Sequence, residues 1–312
     1  MCQYARPVPE STRALPAAGA HGGDGPAVAR ALGLDPAELL DLSQNLNPFA
    51  ADVSALVTRH LDTLGHYPDD RPATRLMAQA LEVDPTRLLL TNGGSEAIAL
   101  LVAEYGGQVL SEPEFALHPR GDHGPVWRSN PHSPTGHLAG PEEHADIWDE
   151  AFHALATGHW SAGRRGLVVG SLTKTFACPG LRLGYVLVED PDDLARLQRH
   201  QPHWSVSALS LAVLPDLLES ADLPTWSAHI SETRLDLVAL LRGYGLEVTH
   251  AAAPWVLVDR PGLRETLAPH GVLVRDCTSF GMPGVARIAV PHPDRLARLE
   301  RALVRTLDPA AL

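Results

Sequence analysis

The chain contains a single lysine, Lys174, although it carries 25 cationic side chains. This lysine ends the run Ser171-Leu172-Thr173-Lys174 and lies eight residues before Arg182. Lysine, unlike arginine, loses its proton readily when it is desolvated or placed near other cations, and its amine forms Schiff bases with aldehydes. A chain that keeps one lysine therefore indicates chemistry at that amine, with an ordinary surface lysine as the alternative.

Schiff-base chemistry at a lysine points to pyridoxal 5'-phosphate, a cofactor that needs several protein groups around it. Besides the amine, it requires an anion for its ring nitrogen and a donor for its ring oxygen. It also requires an aromatic side chain that stacks on the ring and donors for its phosphate. The sequence offers a candidate for each of these roles.

Two polar residues are candidates for the cofactor ring. Asp149 follows the short apolar approach at residues 145–148, and a carboxylate there would keep the ring nitrogen protonated; a helix cap is the alternative. Asn130 opens the turn-rich segment 130–136, where prolines restrict the backbone, and its amide would donate to the ring oxygen. The sequence thus predicts Asp149 and Asn130 as ring contacts.

Two segments are candidates for a phosphate site. Residues 91–98 read as the end of a strand, a glycine turn and the start of a helix, where free amides and the helix dipole favour an anion. Gly94 and Ser95 lie at that turn, although such a turn is common without any phosphate. Hydroxyl and guanidinium donors near the lysine would complete the site, namely Ser171, Thr173 and Arg182.

The order and spacing of these segments resemble the fold-type I pyridoxal phosphate enzymes, specifically the aminotransferase class I and II family. Residues 21–23, 41–48, 271–280 and 287–290 further resemble the threonine-phosphate decarboxylases of cobalamin biosynthesis, with the histidinol-phosphate aminotransferases as near relatives. The resemblance extends from about His21 to the C-terminus. It implies an α/β chain with the PLP-dependent transferase fold of type I, in which a large domain with a mostly parallel sheet precedes a small α+β C-terminal domain.

The resemblance also implies roles for residues outside the lysine segment. Tyr67 is expected to reach the cofactor phosphate of a neighbouring subunit, which would make the protein a homodimer. Arg287 is expected to bind the substrate carboxylate, since a guanidinium pairs with that planar anion through two bonds. An acidic partner for Arg287 is the alternative, because an unpaired guanidinium in an apolar strand is costly. Looser expectations place a second anion at Arg275, and His21 and Asn45 at the entrance.

One part of the chain departs from the family pattern. Between Phe115 and Asn130 the relatives carry several tens of residues, whereas this chain has about fourteen, so a βαβ unit of the large domain is expected to be missing. The aromatic residue that stacks on the cofactor ring then falls near Phe115 or His118. A tyrosine is expected at position 118, and the histidine there would either stack or serve a structural role.

The elements that must position these residues follow from the hydrophobic pattern. Strands alternating with helices predict a mostly parallel sheet with its ligand at the carboxyl ends of the strands. We expect an N-terminal arm over residues 1–40, with a loose segment at 1–20, a shortened PLP-binding large domain over 41–190, and interdomain helices with the small domain over 191–312. Helices are predicted at 73–81, 95–105, 191–200, 206–219, 228–244 and 294–307. Strands are predicted at 87–91, 166–170, 184–188, 247–250, 255–258, 272–275 and 286–290.

The charge, the cysteines and the apolar runs of the chain indicate its kind of partner and its compartment. A formal charge of -12 disfavours nucleic acid and anionic membranes as partners, and a small molecule is expected instead. Cys2, Cys178 and Cys277 are odd in number and widely spaced, which predicts a reducing compartment and no metal site. The chain has no apolar run of membrane-spanning length and no signal-peptide pattern. These features predict a cytoplasmic enzyme.

Three functional hypotheses remain open at this point. If the substrate carboxylate stands perpendicular to the cofactor ring, carbon dioxide is lost, as in a threonine-phosphate decarboxylase, which is the leading hypothesis. If the α-hydrogen stands perpendicular, Lys174 acts as the general base and transamination follows, as in a histidinol-phosphate aminotransferase. The third hypothesis is a catalytically inactive module of the same fold. The sequence does not determine the angle that separates the first two.

Overall fold

The computed structural model describes residues 15–19 and 22–307. The helices are α1 Gly25–Leu32, α2 Val53–Thr58, α3 Arg71–Leu81, α4 Gly93–Tyr105, α5 His153–Thr157, α6 Leu172–Thr175, α7 Pro191–Gln198, α8 Ala208–Glu219, α9 Leu223–Gly243, α10 Leu263–Leu267 and α11 Pro293–Thr306. The strands are β1 Leu40–Asp41, β2 Leu88–Asn92, β3 Gln108–Val109, β4 Val126–Ser129, β5 Ile147–Asp149, β6 Leu167–Ser171, β7 Leu183–Leu187, β8 Glu247–His250, β9 Trp255–Asp259, β10 Val272–Leu273, β11 Arg275–Asp276 and β12 Val285–Ala289.

A six-stranded sheet in the order β2-β7-β6-β5-β4-β3 forms the centre of the large domain. Strands β3, β4, β5 and β6 are parallel to one another, and β7 runs antiparallel to both β6 and β2. The prediction of an α/β chain with a mostly parallel sheet is therefore confirmed.

Both faces of this sheet are buried, which explains the uninterrupted apolar run in β2. Leu88 and Leu90 point into a core that includes residues of α3 and α8, whereas Leu89 points into the core on the side of α4. Successive side chains of a strand alternate between the faces, so a strand covered on both faces needs apolar residues at every position.

The shortened region is a direct connection between neighbouring strands. β3 and β4 are adjacent and parallel, and residues 110–125 join them without a further helix or strand. Parallel neighbours require a crossover of a dozen or more residues, usually one that contains a helix. Here an irregular segment makes that crossover and lies beside the carboxyl ends of the strands.

The C-terminal part contains a four-stranded antiparallel sheet in the order β11-β12-β9-β8, with α9 and α11 in its core. Helix α9 begins five residues before the predicted start, because Asp222 caps it by accepting from the N–H of Thr225 at 3.1 Å. The strand predicted at 272–275 is divided in two. β10 pairs with β1, and β11 pairs with β12.

The expected N-terminal arm is structured over its second half. Helix α1 packs Val28 and Ala29 against Ala268 and Leu273 of the C-terminal part. Residues 25–41 therefore pack with the C-terminal domain, because α1 has one apolar face and β1 supplies a parallel partner for β10. Within the described part of the chain, no helix combines the length and apolar character needed to span a membrane.

Candidate active site

A cavity of about 640 Å³ lies at the carboxyl ends of the central strands. Ser129, Asp149 and Ser171 are the last residues of β4, β5 and β6, and all three line it. This is the position expected for a ligand in a sheet of this type. Most of the predicted site residues line the cavity, namely Gly94, Ser95, Phe115, Asp149, Ser171, Thr173, Lys174, Arg182, Arg275 and Arg287.

Lys174 lies in the short helix α6, directly after β6. Its Nζ donates to the backbone oxygen of Gln44 at 3.1 Å and lies 5.9 Å from the ring centre of Phe152. Burial, together with the charges of Arg287 and Arg182, lowers the pKa of the Lys174 amine to about 8. An amine with this pKa is partly neutral near pH 7, as a nucleophilic lysine must be.

Asp149 presents its carboxylate to the cavity from the end of β5. Oδ1 accepts from the backbone N–H of Ala151 at 2.9 Å, and Oδ2 lies 3.0 Å from Nε2 of His118. The residue does not cap α5, which begins at His153. The buried Asp149 carboxylate thus faces the cavity.

The start of α4 provides backbone donors at the opposite end of the cavity. Glu96 accepts from the N–H of Asn92 at 2.7 Å, a contact that fixes the first turn of the helix. Gly94 and Ser95 lie in that turn and line the cavity. Free amides at the start of a 13-residue helix form a site for an anion.

Arg182 closes this end of the cavity against the glycine turn. Its Nη2 donates to Ser95 Oγ at 3.4 Å. A Cβ atom at Gly93, which has a φ of +77°, would lie 2.6 Å from that Nη2, so a side chain at Gly93 would displace the guanidinium. Thr173 Oγ1 donates to the backbone oxygen of Leu183 at 3.2 Å, which leaves its lone pairs but not its proton for a ligand.

Two arginines lie side by side on the wall formed by the C-terminal sheet. Arg275 of β11 and Arg287 of β12 are register partners, and their Cζ atoms lie 5.7 and 5.2 Å from the ring centre of Phe280. Burial lowers the pKa of Arg287 to about 10 and also lowers the pKa of Arg275. In the described part of the chain, Arg287 forms no ion pair with an acidic side chain, contrary to the alternative of an acidic partner.

Asn45 lies behind Arg287 and does not line the cavity. With its amide oxygen turned toward the guanidinium, it accepts from Nε and Nη2 at 3.0 Å each. Arg275 is held differently, since Nη1 donates to Gly19 O and Nη2 to Ser279 Oγ, both at 2.7 Å.

Asn130 is placed differently from the sequence prediction. Its Oδ1 accepts from the N–H of Ala139 at 2.9 Å, its Nδ2 lies 3.5 Å from Nδ1 of His153, and it does not line the cavity. Ser129 pairs with Asp149 on the cavity face, so the next residue points to the other face of the sheet. Ser133, three residues further along the same turn, lines the cavity instead.

The structure places only one of the two candidates for ring stacking at the cavity. Phe115 lines the cavity, whereas the side chain of His118 is fully buried behind Asp149 and does not reach the cavity. The expectation that His118 stacks on a ligand is thus replaced by a buried contact to Asp149, because the shortened connection folds inward at that point.

Tyr67 also lies away from the cavity. Tyr67 is 79% exposed, and its ring centre lies 4.7 Å from that of Trp204. His21 lies outside the described residues. Sequence reasoning did not single out several other residues that line the cavity, although these lie within or beside predicted motifs; examples are Gln44, Ser133, Phe152 and Phe280.

The donor set of the cavity fits pyridoxal 5'-phosphate. An amine of lowered pKa, a buried carboxylate and an aromatic wall surround its centre, and helix amides with a guanidinium lie at one end. Gly93 leaves space for the Arg182 guanidinium, and a Cβ atom at position 93 would fill that space.

Comparisons with known proteins agree with this arrangement. A family model described as aminotransferase class I and II matches residues 116–304. Threonine-phosphate decarboxylase of Salmonella typhimurium is 31% identical over 92% of this chain and 96% of its own length. Histidinol-phosphate aminotransferase 2 of Pseudomonas fluorescens is 26% identical over 90% of this chain and 92% of its own.

A solved structure extends the comparison to the fold. Histidinol-phosphate aminotransferase of Sinorhizobium meliloti, in complex with pyridoxal-5'-phosphate, aligns with a TM-score of 0.75 and 17% identity, covering 91% of this chain and 94% of that one. The alignment with the Salmonella protein spans 358 positions, more than the 312 residues of this chain. The alignment therefore contains gaps within this chain.

Proposed function

Because the chain belongs to the aminotransferase class I and II family and uses pyridoxal 5'-phosphate, we propose that its substrate is an amino acid with a second anionic group, such as a phosphorylated amino acid. The proposed reaction is decarboxylation of the threonine-phosphate decarboxylase type, within cobalamin biosynthesis. Transamination of the histidinol-phosphate type is the second candidate. These relationships confirm the family membership and the cofactor that the sequence predicted.

The pairing of Arg275 with Arg287 carries the proposal about the substrate. Like charges directly opposite each other in neighbouring strands are destabilising, and burial increases that cost. Anions bound between the two guanidiniums and the cavity would offset it. An amino acid with a carboxylate for Arg287 and a phosphate for Arg275 supplies both anions on one molecule.

Each cavity residue then has a proposed role. When bound, the cofactor supplies an electron sink for the bond that breaks at the α-carbon. Lys174 holds the cofactor and moves the proton at its Nζ, and Asp149 holds the proton of the ring nitrogen. Phe115 stacks on the ring. The phosphate is bound by the start of α4 and by neighbouring side chains, namely Gly94, Ser95, Ser171 and Arg182, whereas the Thr173 hydroxyl, expected from the sequence to join them, gives its proton to Leu183 instead.

The donor to the ring oxygen is reassigned in this proposal. Asn130 uses its amide oxygen for Ala139 and directs its amide nitrogen to Nδ1 of His153. Ser133 lines the cavity on the same turn and has a hydroxyl that donates one hydrogen bond. We therefore assign the ring oxygen to Ser133.

Incubation of the pyridoxal phosphate-loaded protein with threonine phosphate tests the proposed reaction. Release of carbon dioxide with formation of an amine supports decarboxylation, and keto-product formation that depends on 2-oxoglutarate supports transamination. Lys174→Ala is the control that should lose both products. Arg275→Gln should raise KM for the phosphorylated substrate far more than for threonine itself, because only the former has the second anion.

Transamination remains a candidate because the Pseudomonas relative that covers 90% of this chain is named as an aminotransferase. Histidinol phosphate with 2-oxoglutarate is the matching assay. A protein that binds the cofactor but whose absorbance is changed by neither substrate would contradict both reactions and favour the third hypothesis, an inactive module of this fold.

The proposed assembly is a homodimer in which Tyr67 contributes to the site of the other copy. Its support is the exposure of Tyr67 together with exposed apolar neighbours, Leu64 at 66% and Trp204 at 62%. Mixing a Lys174→Ala variant with a Tyr67→Ala variant under conditions of subunit exchange tests this. Each is expected to be weak alone, and the mixed dimer contains one site with both residues intact. No gain in activity on mixing, with dimer exchange verified, would contradict a shared site.

The proposed location is the cytoplasm. In the described part of the chain, Cys178 and Cys277 are buried free thiols, which is typical of proteins from reducing compartments. The net charge of -12 is consistent with a small-molecule substrate and with no nucleic acid partner.

A further inference from the structure

The connection between β3 and β4 contains an ordered set of polar contacts behind the cavity. Arg120 holds the segment in place, since Nε pairs with Glu112 Oε1 at 2.9 Å. Its terminal nitrogens donate to three backbone oxygens of the segment, those of Glu114 at 2.9 Å, Phe115 at 2.7 Å and His118 at 2.5 Å. A segment without helix or strand is therefore fixed at the residues that approach Asp149.

Glu114 is a buried carboxylate, 2% exposed, that accepts three hydrogen bonds. Ser129 donates to it through its N–H at 2.9 Å and its Oγ at 2.5 Å, and the N–H of Phe115 donates at 2.8 Å. These donors satisfy both oxygens of the buried carboxylate and fix its position. Glu114 itself does not line the cavity, and the proposed chemistry assigns no role to this buried carboxylate.

His118 lies between this carboxylate and Asp149. Nε2 is 3.0 Å from Asp149 Oδ2, and Nδ1 is 3.8 Å from Glu114 Oε1. The ring packs against Trp127 and Phe115 at centroid distances of 5.3 and 5.6 Å, which prevents it from rotating freely. An imidazole is thus held with one anion facing each of its nitrogens.

We propose that Glu114 and His118 are positioning residues for Asp149, an inference that rests on the proposed role of Asp149 at the ring nitrogen. Nε2 of His118 lies within hydrogen-bond distance of Asp149 Oδ2, and Glu114 faces Nδ1 on the other side of the ring. His118 therefore donates to Asp149 and keeps its carboxylate oriented toward the cavity. Asp149 in turn holds the proton of the ring nitrogen.

Two other charged or titratable side chains, His132 and Arg128, lie near Glu114 and Ser129. Nε2 of His132 lies 3.9 Å from Glu114 Oε2. Arg128 pairs with Glu143 at 2.8 Å and also donates to the backbone oxygen of Ser129. Neither side chain contacts Asp149 in the described part of the chain. Ser129 and Phe115 connect Glu114 to the cavity wall, whereas His118 is the side chain that lies between Glu114 and Asp149.

The test compares His118→Phe, His118→Gln and Glu114→Gln in the full-length protein. The phenylalanine keeps a ring without a donor, and the glutamine keeps a donor near the place of Nε2. His123→Phe is the matched control, since His123 lies in the same connection with its side chain 92% exposed. The readouts are the absorbance spectrum of bound pyridoxal phosphate, its dissociation constant, and the thermal unfolding of the cofactor-free protein.

We expect His118→Phe to shift the absorbance maximum of the bound cofactor and to raise its dissociation constant about tenfold, the effect of losing one hydrogen bond to a charged group. His118→Gln should recover most of the affinity. Glu114→Gln should shift the spectrum in the same direction as His118→Phe, and His123→Phe should match the wild type.

A folded His118→Phe or Glu114→Gln variant with the spectrum and dissociation constant of the wild type would overturn the inference. If His118→Phe does not fold, His118→Gln is compared with His118→Ala. Equal dissociation constants of pyridoxal phosphate for these two variants would also overturn the inference. Failure of the wild-type protein to take up pyridoxal phosphate would instead overturn the proposed function, so the two failures are distinguishable.

Discussion

Asn45 accepts two hydrogen bonds from Arg287, from Nε and Nη2 at 3.0 Å each, on the side of the guanidinium that faces away from the cavity. Asn45 adopts a φ of 52°, a backbone conformation that asparagine tolerates better than most residues. The guanidinium is thereby fixed by a neutral partner, and its positive charge remains available to a substrate carboxylate.

Replacement of Asn45 should weaken substrate binding without removing the cofactor. Asn45→Gly removes the side chain but accepts the positive φ, and loss of hydrogen bonds to a charged group costs about 1.5–3 kcal/mol. We expect KM for the amino acid substrate to rise roughly 10- to 100-fold. Asn45→Asp should be worse, because its anion neutralises Arg287 and competes with the substrate. Equal KM values for Asn45→Asp and wild type would contradict the role of Asn45 in holding Arg287 for the substrate carboxylate.

Capture of the cofactor by the cofactor-free protein should depend on pH in a defined way. Only the neutral amine attacks an aldehyde, and burial lowers the pKa of Lys174 from 10.5 to about 8. The rate should rise as the pH increases toward about 8 and become nearly constant above it. Stopped-flow absorbance with pyridoxal phosphate measures this rate.

A free lysine derivative is the control for that experiment, since its amine has a pKa of about 10.4 and its rate continues to rise beyond pH 9. It corrects for ionisation of the aldehyde itself. A protein rate that rises in parallel with the free amine up to pH 10 would show that Lys174 is not desolvated. Lys174→Ala should show no capture.

Gly93→Ala should reduce cofactor affinity by displacing Arg182. A Cβ atom would lie 2.6 Å from Nη2, and the flexible guanidinium, rather than the backbone, would move. We expect the dissociation constant of pyridoxal phosphate to rise about tenfold, as for loss of a charged hydrogen bond.

Gly262→Ala separates this clash from backbone strain. Gly262 has a φ of +74°, close to that of Gly93, but a Cβ atom there meets nothing within 4 Å. Both variants should lose about 1–2 kcal/mol of unfolding free energy, the cost of an L residue in the left-handed region. Only Gly93→Ala should change cofactor affinity, and equal affinities would contradict the role of Arg182.

Asn130 and Ser133 should respond to substitution in opposite ways. Asn130→Ala leaves the N–H of Ala139 without its acceptor, which costs about 1–3 kcal/mol of unfolding free energy, with little change in the cofactor spectrum. Ser133→Ala should shift the spectrum of the bound cofactor at nearly unchanged stability. Chemical denaturation and absorbance measure the two effects. The reverse pattern would return the ring oxygen to Asn130.

Much of the candidate site could be predicted from the sequence because its residues adjoin regular elements. Lys174, Asp149 and the glycine turn each follow a strand, and the carboxyl ends of neighbouring strands meet at one edge of a sheet. The single lysine indicated the chemistry, and the alternation of strands and helices indicated the sheet. These are local properties that tertiary contacts preserved.

The remaining assignments depended on tertiary structure. Asn130 and Ser133 lie in one turn, and only the register of β4 against β5 determines which side chain faces the cavity. The pairing of Arg275 with Arg287 likewise follows from the antiparallel register of β11 and β12. Neither register is visible in residue spacing, because it is set by contacts between segments distant in the chain.

His118 marks the limit of what the sequence by itself determined. The family resemblance placed it near the cofactor ring, and it does lie beside Asp149. Whether the ring faced the cavity or the protein interior depended on how the short connection folds between Trp127 and Glu114. That outcome was decided by packing and by buried charges, which act through space rather than along the chain.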